Sequence, residues 1–206
     1  MRANAGRSGM VWLFDLDNTL HDAGAFVFPA LKLSMRGYIQ QQLQVDEAEA
    51  QRLNLQYWHR YGATLLGLMR HHGVDAAHFL HDTHRLPGLE PTVRGHRHDM
   101  AALARLPGRR FILTNAPRHY ALRVLGALGI GHLFDGVFAI EDMAMFGQLR
   151  PKPDAACCAA WPCACACRPA AACWWKTRWC TRSRRAAWAW ARCGCSASPA
   201  ARPCPT

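Results

Sequence analysis

Apolar positions change their spacing several times along this chain, and each change predicts an element. Met10–Leu16 is a short apolar run carrying Asp15 at its end, with Asp17 and Asn18 just beyond. That is the pattern of a buried strand running into a loop. From Phe26 to about Leu106 the spacing turns helical: Leu31, Leu33, Met35, Tyr38 and Ile39, then Leu53, Leu55 and Trp58, then Leu65, Leu66, Leu68 and Met69. Pro87 and Gly88 interrupt it. Phe111–Leu113 predicts a second strand ending in Thr114 and Asn115, and Arg118–Leu128 a helix stopped by Gly129. Leu133–Ile140 predicts a third strand before the loop QLRPKPD. Strands alternating with helices predict an α/β fold with a Rossmann-like parallel sheet, interrupted early by a helical insert. Chemistry on such a sheet is expected at the carboxyl ends of its strands.

The pattern fails after residue 154, and composition shows how sharply. Of 25 Lys and Arg residues eight lie from Ala155 onward, where there is no acid; the 14 acids all precede it, so the first part is nearly neutral. All ten cysteines and six of the eight tryptophans fall in the same final segment. The net charge of +11 is therefore a property of the tail and points to no basic binding face on the folded part. MRANAGRSGM has no apolar run of a signal peptide, and no window offers the ~18 consecutive apolar residues of a membrane span. The expectation is a cytoplasmic protein with no membrane partner and no specific nucleic-acid partner.

Candidate chemistry starts at Phe14-Asp15-Leu16-Asp17-Asn18-Thr19-Leu20. Two carboxylates two residues apart, with a backbone carbonyl between them, are hard oxygen donors that suit Mg²⁺. Asp15 then serves as nucleophile and Asp17 as acid and base, splitting a phosphoryl transfer into two steps. The competing structural reading is an Asp-Asn turn. Thr114 offers a hydroxyl, and Asn115 the next backbone N–H, to phosphate oxygens; the alternative is a helix cap. Lys152, between Pro151 and Pro153, neutralises charge beside nucleophile and phosphate, or is a solvated surface lysine. In the insert, Tyr57, Trp58 and Tyr61 either stack on a base or pack the helix core. His78, His81 and His84 at helical spacing are either metal ligands or solvated histidines.

In the order Asp-x-Asp, Thr, Lys, these residues resemble the first three motifs of the haloacid dehalogenase-like hydrolase superfamily, over Val11–Asp154. The stretches YWHRYGATLLGLMRHHG and LPGRRFILTNAPRHYALRVLGALGI look most like its bacterial pyrimidine 5′-nucleotidase branch. The resemblance implies a core over 10–21 and 107–154, a helical cap over 22–106, and a magnesium-dependent phosphomonoesterase acting on a small phosphate ester such as a nucleoside monophosphate. It implies Asp15, Asp17, Thr114 and Lys152 as catalytic residues, Thr114, Asn115 and Lys152 on phosphate, and Asp15 and Asp17 at Mg²⁺. An aromatic residue is expected in place of Asp17 in a haloalkanoate dehalogenase, so Asp17 favours phosphatase chemistry. The rivals are a phosphoglycolate-type phosphatase and an inactive protein that keeps the phosphate pocket.

The family's fourth motif, an apolar strand ending in acids that complete the metal site, has no counterpart in the acid-free segment 155–206. The genetic code offers a reason. Trp has one codon and Cys two, so Cys173-Trp174-Trp175-Lys176 fixes nearly all of its DNA, and reading one base earlier forces Leu-Val-Glu followed by Asp or Asn. The same shift permits Leu-Gly-Met-Gly-Thr-Val-Trp-Leu over Trp188–Cys195, with both glycines forced. The tail therefore reads as a shifted frame of the fourth motif and last strand. The alternatives are a zinc-binding tail through Cys163, Cys165 and Cys167, or an Arg/Trp-rich nucleic-acid-binding arm. Lacking a period-2 apolar pattern, the tail is expected to be irregular and poorly ordered, leaving an open sheet edge.

Overall fold

The structure, a computed structural model, describes residues 11–145 and 148–152 and the backbone of 173–178 and 188–193. Its strands are β1 (Val11–Phe14), β2 (Arg109–Leu113), β3 (Gly136–Phe138), the short pair β4 (Ala144–Met145) and β5 (Gln148–Leu149), β6 (Cys173–Arg178) and β7 (Trp188–Cys193). The α-helices are α1 (Val27–Leu43), α2 (Glu47–Tyr61), α3 (Thr64–His72), α4 (Ala76–Thr83), α5 (Arg97–Arg105) and α6 (Arg118–Leu128). One sheet has the order β3-β2-β1-β6-β7. All its pairs are parallel except β6 with β7. The α/β reading holds, and among the described residues no helix is long and apolar enough to cross a membrane.

Both faces of the central strands are buried, which is why β1 and β2 read as continuous apolar runs rather than alternating ones. Phe14 and Ile112 join Tyr120, Val124 and Leu103 in one buried cluster, while Val11, Leu13, Phe111 and Leu113 pack with Met143 in another. The α6 helix ends where expected, because Gly129 at φ 68 takes the left-handed conformation and its N–H caps the carbonyls of Leu125 and Gly126.

Helices α1–α4 surround a cluster of their own, including Tyr38, Ile39, Leu53, Tyr57, Leu68 and Phe79. Their boundaries follow local rules. Asp46 and Asp75 cap α2 and α4 by accepting the N–H groups of Glu49 and His78 at 2.8 and 2.7 Å. At Gly67 the α2 and α3 helices touch so closely that a Cβ would lie 2.2 Å from Tyr57 Cγ. Not every buried residue of the segment 22–106 belongs to this cluster. Ala23, Val27, Leu86, Leu89, Val93 and Leu103 belong to the sheet's cluster, because the two chain crossings must bury apolar side chains where they meet the core.

The tail also departs from expectation. Where no strand was predicted, β6 runs parallel to β1 with Val11 opposite Cys173 and Phe14 opposite Lys176, and β7 pairs antiparallel to β6. Backbone pairing does not read side-chain periodicity. An unpaired edge at β1 accepts any extended stretch free of proline, and both stretches are proline-free and rich in Trp, Cys and Thr or Arg. The remainder of 155–206, with Cys163, Cys165 and Cys167, lies outside the described residues.

Candidate active site

β1 has β2 on one side and β6 on the other, so its carboxyl end lies where the strand order reverses, the place where open α/β sheets bind ligands. The chain turns there at once. Leu16 carbonyl accepts the N–H groups of Thr19 and Leu20 at 3.3 and 2.9 Å. Asn18 sits at φ 53 and its Oδ1 accepts the Ala23 and Gly24 N–H groups, each at 3.0 Å. Asn is among the few residues that tolerate such a φ. The Asp-Asn turn is therefore made by Asn18, and both aspartate side chains stay available for other partners.

Asp15 meets Lys152, whose Nζ donates to Asp15 Oδ1 at 2.8 Å and to the Leu113 carbonyl at 2.5 Å. The lysine side chain is only 11% exposed, so the ion pair is largely screened from solvent. Its loop is tied down by Asn115: the Asn115 Nδ2 donates to the Lys152 carbonyl at 2.9 Å, and the Lys152 N–H donates to Asn115 Oδ1 at 2.8 Å. The expectation for Asn115 concerned its backbone N–H alone. Its side chain is consumed in holding Lys152, and what it can offer an anion is its backbone N–H. Thr114 is 1% exposed, and its Oγ1 accepts the Ala116 N–H at 3.1 Å. Its own hydroxyl proton has no acceptor among the described residues and is free for an incoming oxygen.

Two partners of Asp17 carried no motif signal. Tyr120 Oη donates to Asp17 Oδ1 at 2.7 Å, and His21 Nε2 lies 2.8 Å from the same oxygen. Burial and the neighbouring Asp17 carboxylate push the Tyr120 phenol far above its usual range, so it stays a donor. The one available hint was that Tyr120 occupies the first turn of the helix following the Thr114 strand. Behind Tyr120 lies His84, whose burial pulls its pKa down to about 4 against a weaker upward pull from Asp17.

A cleft of about 700 Å³ separates the sheet edge from the helices. Asp17 and Asn115 border it from below, and Phe28, Leu31, Met35, Leu55 and Trp58 from above. Of the three aromatics considered for stacking, Trp58 borders the cleft and is 56% exposed. Tyr57 is instead buried in the helical cluster and bonded to His72, and Tyr61 bonds His71. His78 pairs with Tyr38 and Asp82, His81 with Asp82, and His84 is interior. The described residues contain no group of three or more His, Cys, Asp or Glu able to hold a metal. Asp15 and Asp17 offer oxygen donors at one strand end, a set that fits a hard cation keeping most of its water. Asp17 Oδ1 is already occupied twice.

The family model for haloacid dehalogenase-like hydrolases matches residues 10–160. A curated relative, Phosphate metabolism protein 8 of Saccharomyces cerevisiae, is 29% identical over 156 residues. Those cover 70% of this chain and 48% of the yeast protein, so the chain spans about half the length of that relative. Among solved structures, a haloacid dehalogenase-like hydrolase of Bacteroides fragilis aligns with a TM-score of 0.49 at 15% identity, over 78% of this chain and 74% of its own. A Bacillus subtilis hydrolase solved with magnesium aligns with a TM-score of 0.38 at 19% identity, over 65% and 64%.

Proposed function

The chain belongs to the haloacid dehalogenase-like hydrolase family, and on that premise we propose that it is a phosphomonoester hydrolase that works through a phosphorylated Asp15. The observation that carries the reading is the placement of Asp15 and Asp17 at the end of the central strand, one held by Lys152 and the other by Tyr120 and His21. An Asp15 oxygen attacks phosphorus, and the bond to the leaving oxygen breaks as Asp17 gives that oxygen a proton. In the second step Asp17 takes a proton from water, whose oxygen attacks phosphorus and releases Asp15. Lys152 offsets charge gathered at the phosphoryl group, and the Thr114 hydroxyl and Asn115 N–H bind its oxygens. Asp15 by its carboxylate and Asp17 by its main-chain carbonyl would hold Mg²⁺, which would supply Lewis-acid stabilisation of the same charge.

For the substrate we infer a nucleoside monophosphate of pyrimidine type. The polar end lies at Asp17 and Asn115, and Trp58 stands above with an accessible ring for a base. Hydrolysis of a panel of nucleotides, sugar phosphates and phosphoglycolate with Mg²⁺ tests this. A preference for pyrimidine nucleotides is expected, and a preference for phosphoglycolate sinks the nucleotidase reading.

Residues from about 155 onward we read as a shifted frame of the fourth motif. In the shifted reading Glu falls at the Lys176 codon and Asp or Asn at that of Thr177. Lys176 is the residue opposite Phe14, so these acids would stand beside Asp15. Resequencing of the DNA across codons 145–200 decides between a gained or lost base and a gene that truly encodes this tail.

A further inference from the structure

We propose that Tyr120 and His21 are positioning residues that fix the Asp17 carboxylate in one orientation, one oxygen spent on the protein and the other turned to the substrate's leaving oxygen. The proposal rests on the reading of Asp17 as acid and base and adds to it the groups that aim it.

The geometry is convergent. Two donors from different places in the chain, one 103 residues away and one 4, meet on a single oxygen, Oδ1, at 2.7 and 2.8 Å. An aspartate's terminal torsion is broad and nearly two-fold, so an unpinned carboxylate presents either oxygen. Here Oδ1 receives both donors and Oδ2 receives neither, while the side chain borders the cleft. The loop is built to bring His21 there: the turn at Leu16 to Leu20 and a bridge between residues 17 and 21 fold the histidine back over Asp17.

Both donors are buried beyond what packing asks for. The His21 side chain is 0% exposed, and its Nδ1 has no hydrogen-bond partner among the described residues. An apolar residue would fill that space without leaving a buried nitrogen unsatisfied. What the imidazole supplies is an Nε2–H donor to the carboxylate oxygen Oδ1. Tyr120 is 1% exposed within the sheet's cluster and sends its hydroxyl out of that cluster to Asp17. A phenylalanine would pack the same ring without a buried polar group.

The test uses two esters that differ in their need for an acid. 4-Nitrophenolate leaves without a proton, whereas the ribose oxygen of a nucleoside 5′-monophosphate requires one. In the full chain with Mg²⁺, Tyr120→Phe and His21→Leu are expected to lower kcat/KM for uridine 5′-monophosphate by about 30-fold and for 4-nitrophenyl phosphate by about threefold or less. His21→Gln restores an N–H near the Nε2 position and is expected to recover most of the loss. Equal losses on both esters, or no loss, overturn the proposal. A second arm does not depend on turnover: in crystal structures of the wild type and Tyr120→Phe, the Asp17 carboxylate is expected to rotate in the variant. An unmoved carboxylate overturns the positioning role. A wild type that hydrolyses neither ester refutes the phosphatase reading, and the rotation of Asp17 then decides this proposal alone.

Discussion

The two sides of the cleft are built on opposite principles. Below, at the sheet edge, polar groups are held by partners remote in sequence: Lys152 reaches Asp15 across 137 residues and Tyr120 reaches Asp17 across 103. Above, the helices α1 and α2 are shaped by local periodicity and caps, and they present apolar side chains such as Leu55 and Trp58 that remain 49% and 56% exposed. A preorganised polar floor acts where charge develops in a reaction, and an adaptable apolar roof acts through area covered on a bound molecule. Damage below should therefore read in the chemical step and damage above in binding. Damage inside the helical cluster should read in stability.

The largest effect expected is at the floor. Asp15→Asn removes the attacking oxygen's charge and should lower turnover of 4-nitrophenyl phosphate by about 10⁴-fold or more, with substrate binding retained. Retained activity in that variant breaks the division at its root. Next is Phe79→Ala in the helical cluster, where the ring is 1% exposed. The expected cost is about 3–5 kcal/mol in urea unfolding. A loss confined to the tryptophan signal of the helices would show that the helical cluster unfolds separately from the sheet.

A third prediction concerns His84, between the two sides. Its folded pKa of about 4 lies below the ordinary 6.5 because burial disfavours the cation. Between those values the unfolded state binds more protons, so stability rises with pH across that window and is lost as pH falls through it. The full loss is on the order of 3 kcal/mol. His84→Leu should flatten the acid side of the stability profile between about pH 6.5 and 4, and an unchanged slope assigns the acid lability elsewhere. The smallest effect is at the roof. Trp58→Ala should raise KM for a pyrimidine nucleotide about fivefold with little change in kcat. A fall in kcat instead would give the roof a share in the chemistry.

Much of this was readable from residue order. Asp15, Asp17, Thr114 and Lys152 each follow a strand-like run or a stiff loop, and their types suit phosphoryl chemistry at that spacing. The roles of Tyr120 and His21 were not readable, because neither lies in a recognisable spacing relative to Asp17. Asn115 showed the same limit. Its backbone N–H was readable as an anion contact, but nothing in the order of residues showed that its side chain holds the backbone of a residue 37 positions away. The tail shows the limit from the other side, since β6 pairs with β1 through main-chain groups that side-chain pattern does not report.

Residue order by itself determined the α/β class, the helical group between the first two strands and the cluster of acid, hydroxyl and lysine candidates. These are consequences of periodicity and residue chemistry, and both are local. Tertiary structure alone decided which oxygen of Asp17 is occupied, that Asn115 secures Lys152, and which of three neighbouring aromatics borders the cleft. Those outcomes depend on side-chain direction and on contacts between segments 37 to 103 residues apart, which become defined only when the sheet assembles and both of its faces are buried.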